Sequence, residues 1–233
     1  MGGEDRTMRL TLLIDDIVPE GVTPVDGFSI LVEAPDALVL FDTGPDGEVL
    51  LAALDRVGVG VRDLDLVVIS HSPKCHSGGL ARLLFHHRRL PVSVPVSESS
   101  KISKMIPRDA LILGEDGPRK LAKHIMTTGD MGGEVPEQAL ILETDRGKVV
   151  LNGCAHPGIA NMMTAAGGST SMIIGGFHDL SADDLPYPEA GDIVVCHCTP
   201  RKRVLAHMFP QVTLWEVGSR LEFAEPLELN QSP

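Results

Sequence analysis

The chain has 233 residues, enough for one large α/β domain with a well-buried core, and no linker divides it into two. Its 32 acidic against 20 basic residues leave a formal charge of −12, and only 3% of residues are aromatic, with one Trp and one Tyr. That charge repels a phosphate backbone and stacking platforms for unpaired bases are scarce, so nucleic acid is not an expected partner.

In chain order, Met1-Gly2-Gly3-Glu4-Asp5-Arg6-Thr7 is acidic and glycine-rich where a secretory signal would be basic and then apolar. No run reaches the roughly 18 apolar residues of a membrane span. A cytoplasmic protein without membrane contact is therefore expected. Arg9 to Ile14 reads as a strand, and Phe28 to Glu33 with Ala37 to Phe41 as a hairpin turning at Pro35-Asp36. Asp46 to Val57 carries Val49, Leu50, Ala53, Leu54 and Val57 at helical spacing and stops at Gly58 or Gly60. Leu64 to Ile69 is a nearly unbroken apolar run, as in a strand covered on both faces; a polar loop follows, then a helix over Gly78 to His87 and a short strand over Val92 to Val96. Residues 97–123 give no regular pattern. Gln138 to Glu143 and Lys148 to Asn152 predict a hairpin around Asp145-Arg146-Gly147, followed by a helix from Ile159 to about Ala166. Met172 to Ile174 and Ile193 to Val195 read as buried strands, and 226–233 as a loose tail to a domain spanning 1–233. Two halves that each put polar loops at one edge of their strands suggest two sheets face to face with helices outside. The basic clusters His86-His87-Arg88-Arg89 and Arg201-Lys202-Arg203 read as solvated faces.

The chemistry concentrates in histidines that end apolar runs: His71, His156, His178 and His197. Loops at the carboxyl ends of buried strands converge, so residues distant in sequence can share one site. The pair Cys75-His76, just beyond His71, adds donors suited to borderline-soft metals such as zinc. Each of the four cysteines, Cys75, Cys154, Cys196 and Cys198, lies within two residues of a histidine. In a reducing compartment this favours metal or reactivity over disulfides. Cys154, Cys196 and Cys198 are nonetheless read as buried small hydrophobes.

Leu40-Phe41-Asp42-Thr43-Gly44, Ile69-Ser70-His71 through His76-Ser77-Gly78-Gly79-Leu80, Gly153-Cys154-Ala155-His156-Pro157-Gly158 and His197 resemble the ordered signatures of the metallo-β-lactamase fold. Gly27-Phe28-Ser29, Glu137-Gln138-Ala139-Leu140, Gly175-Gly176-Phe177-His178 and His197-Cys198-Thr199-Pro200 are similar to its dihydropterin ribofuranosyl-aminobenzene phosphate synthase-like subgroup. The resemblance implies a four-layer αββα sandwich of two mixed sheets. The family loop reads His-x-His-x-Asp-His. On that pattern His71 and His156 match two ligands of one metal site, whose third position is filled by Pro73, which has no donor. At the other site His76 and His197 match, with Cys75 in place of the Asp, giving a Cys-His-His set with an open fourth position. One zinc per chain is implied, with iron or manganese as alternatives. Asp42 takes a structural role at the site, Lys74 and His178 face an anionic substrate, and His71 or His178 acts as general base.

The leading expectation is thus a metallohydrolase-like enzyme acting on a small anionic or pterin-like substrate; a homo-oligomer is compatible with the sequence. The alternative is a catalytically retired ligand-binding or redox-sensing module with a reactive Cys75. True β-lactamase activity is disfavoured by the absence of a signal peptide, and RNA hydrolysis by charge.

Overall fold

The computed structural model describes residues 7–180 and 191–226. The tail expected over 226–233 lies, Pro226 apart, outside them. Strands β1 (Thr7–Ile14), β2 (Ser29–Ala34) and β3 (Ala37–Phe41) form an antiparallel meander, which helix α1 (Gly47–Arg56) leaves from an Asp46 N-cap that accepts from the backbone of Glu48 and Val49. Strand β4 (Leu66–Val68), the single turn α2 (Lys74–Ser77), helix α3 (Leu80–His86) and strand β5 (Val92–Pro95) follow. Then come α4 (Ser99–Ile102), β6 (Ile112–Glu115), β7 (Arg119–Ala122), β8 (Ile125–Thr127), β9 (Leu140–Thr144), β10 (Gly147–Asn152) and α5 (Ile159–Ala165). The chain closes with β11 (Met172–Gly176), β12 (Asp192–Cys196), α6 (Lys202–Met208), β13 (Val212–Leu214) and β14 (Arg220–Ala224).

Among the described residues the strands make two seven-stranded sheets, ordered β14-β1-β2-β3-β4-β5-β6 and β13-β12-β11-β10-β9-β8-β7. Both are mixed: β3 to β6 run parallel, as do β10 to β13, and the remaining pairs are antiparallel. Strand alternation sorts the side chains into layers. Ile30, Val32, Val39 and Phe41 of one sheet face Leu140, Leu142, Val149 and Leu151 of the other. The intervening Leu31 and Leu40 pack outward with Leu50, Leu54, Leu80 and Leu83, while Ile141, Val150 and Ile173 pack outward with Met162, Met163 and Leu205. This is the four-layer αββα sandwich.

Three expectations change in detail. The helix after the polar loop begins at Leu80 and not at Gly78, because Gly78 and Gly79 let two loops touch: a Cβ there would lie 2.2 Å from the Pro45 carbonyl oxygen and 2.4 Å from that of Thr43. The hairpin strand expected from Gln138 begins at Leu140, since Gln138 bonds across to the other sheet. Residues 97–123 hold α4, β6 and β7, the last two being sheet-edge strands with half-exposed side chains, so the alternation that announces a strand is absent. Edge strands β13 and β14 escaped for the same reason.

Candidate metal centre

The carboxyl ends of β3 and β4 in one sheet meet those of β10, β11 and β12 in the other, each followed by a polar loop. Asp42, directly after β3, is fully buried. Its Oδ1 accepts from the Ser70 N–H at 2.7 Å, and its Oδ2 accepts from the Ser70 hydroxyl at 2.7 Å and lies 2.7 Å from His76 Nδ1. An ionised carboxylate only accepts, so His76 carries a proton on Nδ1. The Ser70 hydroxyl, its one O–H donated in the hydrogen bond to Asp42, is left to accept from His71 Nδ1 at 2.8 Å. One carboxylate thus fixes two imidazoles so that both Nε2 atoms point away from it, the arrangement in which outer-shell partners orient metal-ligating histidines.

Five rings adjoin in a chain: centroids lie 4.1 Å apart for His71 and His76, 5.1 Å for His71 and His156, 4.8 Å for His76 and His197, and 5.1 Å for His156 and His178. Phe28 stacks on His197 at 6.0 Å. Burial, followed by the neighbouring charge of His76, pushes the His71 imidazole far down and that of His197 down to about 3. Burial and then His178 lower His156. All three therefore offer lone pairs at neutral pH. Burial opposes protonation of His76 too, but Asp42 overrides it and carries this imidazole up to about 10. Its Nε2 faces the Cys154 sulfur at 3.2 Å.

The structure brings Cys75, His76 and His197 together as one donor set, their ligand atoms all within 4.8 Å of one another. Within the same limit lie His71, Cys154 and His156, and also Cys154, His197 and Cys198. The sulfurs of Cys154, buried as expected, and Cys198, half-buried, therefore lie beside the histidines, while Cys196 packs in the core between the sheets. The Cys154 thiol is held well above its ordinary range by its hydrogen bond with Cys198 and by burial. Gly176 makes room for these sulfurs, as a Cβ there would stand 2.7 Å from Cys198 Sγ. His178 is exposed at the mouth beside His156, and Lys74 is exposed on α2. Pro73 is exposed and opens that turn.

The loops are held by buried polar groups, among them Glu137 and Gln138 of the Glu137-Gln138-Ala139-Leu140 motif, to which the sequence alone assigns no role. Glu137, fully buried, accepts from the backbone N–H of Gly153, Cys154 and Ala155 through Oε1 and from that of His156 through Oε2. Gln138 ties the two sheets together, its side-chain amide donating to the Ile69 carbonyl at 2.8 Å. Asp15 accepts from the His197 N–H at 2.8 Å, and Lys202 donates to the His197 carbonyl at 2.5 Å while pairing with Asp16. Burial and the bond with Asp16 raise the Asp15 carboxyl to about 7. Glu98 accepts from the Ser72 N–H at 3.2 Å. Asp42, Ala155 and His197 hold left-handed backbone at φ 59°, 57° and 41°. Such strain in non-glycine residues persists where the surroundings dictate it and concentrates at functional sites.

A sequence profile of the metallo-β-lactamase superfamily matches residues 22–96, which carry Asp42 and the loop from His71 to His76. The crystal structure of Tm1679, a metal-dependent hydrolase of the β-lactamase superfamily, matches with a TM-score of 0.74 at 24% identity, covering 94% of this chain and 100% of that one. The chain has the metallo-β-lactamase fold. A diphosphatase of the PhnP family shares the fold at 16% identity and a TM-score of 0.71, covering 95% of this chain and 99% of that one. The chain is also similar to a 7,8-dihydropterin-6-methyl-4-(β-D-ribofuranosyl)-aminobenzene-5′-phosphate synthase of Methanocaldococcus jannaschii, 23% identical over 212 residues, with 68% of this chain and 72% of that protein covered. Metallo-β-lactamase superfamily proteins typically bind metal ions, and the donor chemistry here fits that role: neutral imidazoles at His71, His156 and His197, a His76 ring oriented by Asp42 whose Nε2 proton a cation would displace, and sulfur beside them. Among the described residues no helix is long and apolar enough to cross a membrane.

Proposed function

We propose that the protein is a metal-dependent hydrolase-like enzyme that holds one zinc-type ion on Cys75, His76 and His197 and acts on a small anionic substrate. The observation that carries this is the Asp42 carboxylate, which engages Nδ1 of His76, one of three residues whose donor atoms lie within 4.8 Å of one another. A thiolate and two imidazoles suit zinc, iron or another borderline ion better than magnesium or calcium. When bound, such an ion supplies Lewis acidity toward water and toward the group attacked. The chain's residues do the rest. His178, exposed at the mouth and adjoining His156, carries protons between the reacting group and solvent, while His71 stays neutral inside. Exposed Lys74 attracts the anionic group as a point charge. A cavity of about 220 Å³, whose lining includes Ala155 and Pro157 on either side of His156 in the chain and Phe177 and Asp179 on either side of His178, takes the apolar or ring portion.

Phosphate-bearing and pterin-like compounds lead the substrate list, because the chain resembles a dihydropterin-linked phosphate synthase and a diphosphatase. The test is hydrolysis of a panel of phosphate mono- and diesters, with and without pterin groups, by protein loaded with zinc. Cys75→Ser and His197→Ala are each expected to lower kcat/KM by about 100-fold or more. Zinc-independent turnover, or no turnover of any of them, would defeat the proposal.

A redox-sensing role is favoured by one observation, that three reduced thiols, Cys75, Cys154 and Cys198, share the centre. Fast, selective alkylation of Cys75 that zinc does not slow would support that role over the enzyme.

A further inference from the structure

Strand β11 lies between β10 and β12 in its sheet and ends at Gly176, which pairs with Cys196. Cys154 follows β10 on one side and Cys198 follows β12 on the other, each two residues past the end of its strand. Side chains on the two flanks of a strand are ordinarily kept apart by the residue between them, and glycine at 176 supplies none. A Cβ there would stand 2.7 Å from Cys198 Sγ and 3.5 Å from Cys154 Cα. Through that gap the two thiols meet: their sulfurs lie within 4.8 Å of each other and the groups share a hydrogen bond. Cys154 is buried and Cys198 half-buried, so solvent reaches the pair from the Cys198 side.

We infer that Cys154 and Cys198 form a dithiol that hydroperoxides convert, reversibly, to an intramolecular disulfide bridging the loops after β10 and β12. Cys198, the half-buried member, reacts first. Its thiolate sulfur attacks a peroxide oxygen, the O–O bond breaks, and the departing oxygen takes up a proton as water or an alcohol, leaving a sulfenic acid on Cys198. The Cys154 sulfur then attacks that of Cys198; the S–S bond forms, the S–OH bond breaks, and the hydroxide leaves with the Cys154 proton as water. Two electrons thus pass from the pair of sulfurs to the peroxide, and a dithiol reductant reverses the closure by exchange. The remaining approach of the sulfurs needs rotation about χ1 and a small shift of two loops that lie outside the strands. Cys75 belongs to a donor set with His76 and His197 that contains neither sulfur, and Cys196 packs between the sheets, which sets both apart from the pair. The bridge is therefore distinct from the reactive Cys75 considered above, and the inference holds whether or not Cys75, His76 and His197 carry an ion. Closure ties the loop that bears His156 to the loop that bears His197.

Peroxide treatment followed by mass mapping tests this. Full-length protein, reduced and freed of reductant, is treated with equimolar hydrogen peroxide without denaturant, its remaining thiols are alkylated, and the digest is mapped. The expected product is a chain lighter by two hydrogen atoms before alkylation, with the Cys154 and Cys198 peptides joined, Cys75 and Cys196 alkylated, and all four thiols restored by dithiothreitol. Cys75→Ser and Cys196→Ser should form the same link. In Cys154→Ser the reaction should stop at the Cys198 sulfenic acid, trapped by dimedone, whereas in Cys198→Ser residue Cys154 should remain a thiol. Gly176→Ala, which displaces the Cys198 sulfur, should slow closure by about 100-fold for a shift of about 1 Å and let the sulfenic acid accumulate. A link between any other pair of cysteines, a link between chains, or oxidation confined to Cys75 with Cys154 and Cys198 both alkylated would overturn the inference. So would a Cys154 to Cys198 link that forms only in urea, because the native geometry would then not be its cause. Should a variant not fold, the wild-type map decides alone.

Discussion

Replacing Asp42 with Asn tests whether one carboxylate organises the centre. Asn is chosen because it tolerates the left-handed backbone that Asp42 adopts at φ 59°, so that the effect comes from the side chain. Its carbonyl can still accept from the Ser70 N–H, now at 2.7 Å, but its amide then faces the Ser70 hydroxyl and His76 Nδ1, both donors to Oδ2 in the native protein. The hydroxyl can rotate to accept from the amide, whereas the His76 proton, fully buried, keeps no acceptor. Removing one partner of a buried charged pair costs about 3–5 kcal/mol, and the rotated hydroxyl places this case at the lower end, about 3 kcal/mol. For a urea slope of about 1–3 kcal/mol per M, near the top of that range for a chain of this size, the midpoint should fall by about 1 M. The zinc affinity should fall by about 10- to 100-fold as His76 and His71 lose their fixed tautomers. Urea unfolding followed by circular dichroism, with zinc binding by competition against a chelator, measures both. A midpoint within about 0.3 M of wild type together with unchanged zinc affinity would refute the reasoning.

Three further substitutions probe separate supports. Gly176→Ala places a Cβ 2.7 Å from Cys198 Sγ and 2.5 Å from the Gly153 carbonyl oxygen; overpacking of this kind costs about 1–3 kcal/mol, and calorimetry should show Tm lower by about 4–8 °C. An unchanged Tm would mean that the thiols do not pack there. Glu137→Gln puts a donor where Oε2 accepts from the His156 N–H at 2.9 Å; a loss of about 1–3 kcal/mol and faster amide exchange at His156 are expected, and unaltered exchange would count against the anchor. Lys74→Ala should raise KM several-fold for phosphate-bearing substrates while leaving kcat alone, and an effect confined to kcat would remove the lysine from substrate binding.

The sandwich was legible in the sequence because its central strands are buried on both faces and read as apolar runs, as Leu64 to Ile69 and Ile193 to Val195 do. Edge strands β6, β7, β13 and β14 carry no such pattern, since half their surface meets solvent or a neighbouring loop. At the centre, the residues that close strand runs, His71, His156 and His197, could be read from their position. The sulfurs of Cys154 and Cys198 could not, because a cysteine one or two residues from a histidine looks the same whether it faces the core, as Cys196 does, or the donor cluster. Glu137 and Asp15 act through backbone groups of residues 16 to 182 positions away, a relation that exists only once the sheets are packed.

The most direct measurement is zinc-edge X-ray absorption on the loaded protein, wild type beside Cys75→Ser. The expected result is a mixed shell with sulfur near 2.3 Å and nitrogen near 2.0–2.1 Å, the sulfur contribution falling in the variant. A shell of nitrogen and oxygen alone, or a sulfur contribution that Cys75→Ser leaves intact, would contradict a metal held by Cys75, His76 and His197.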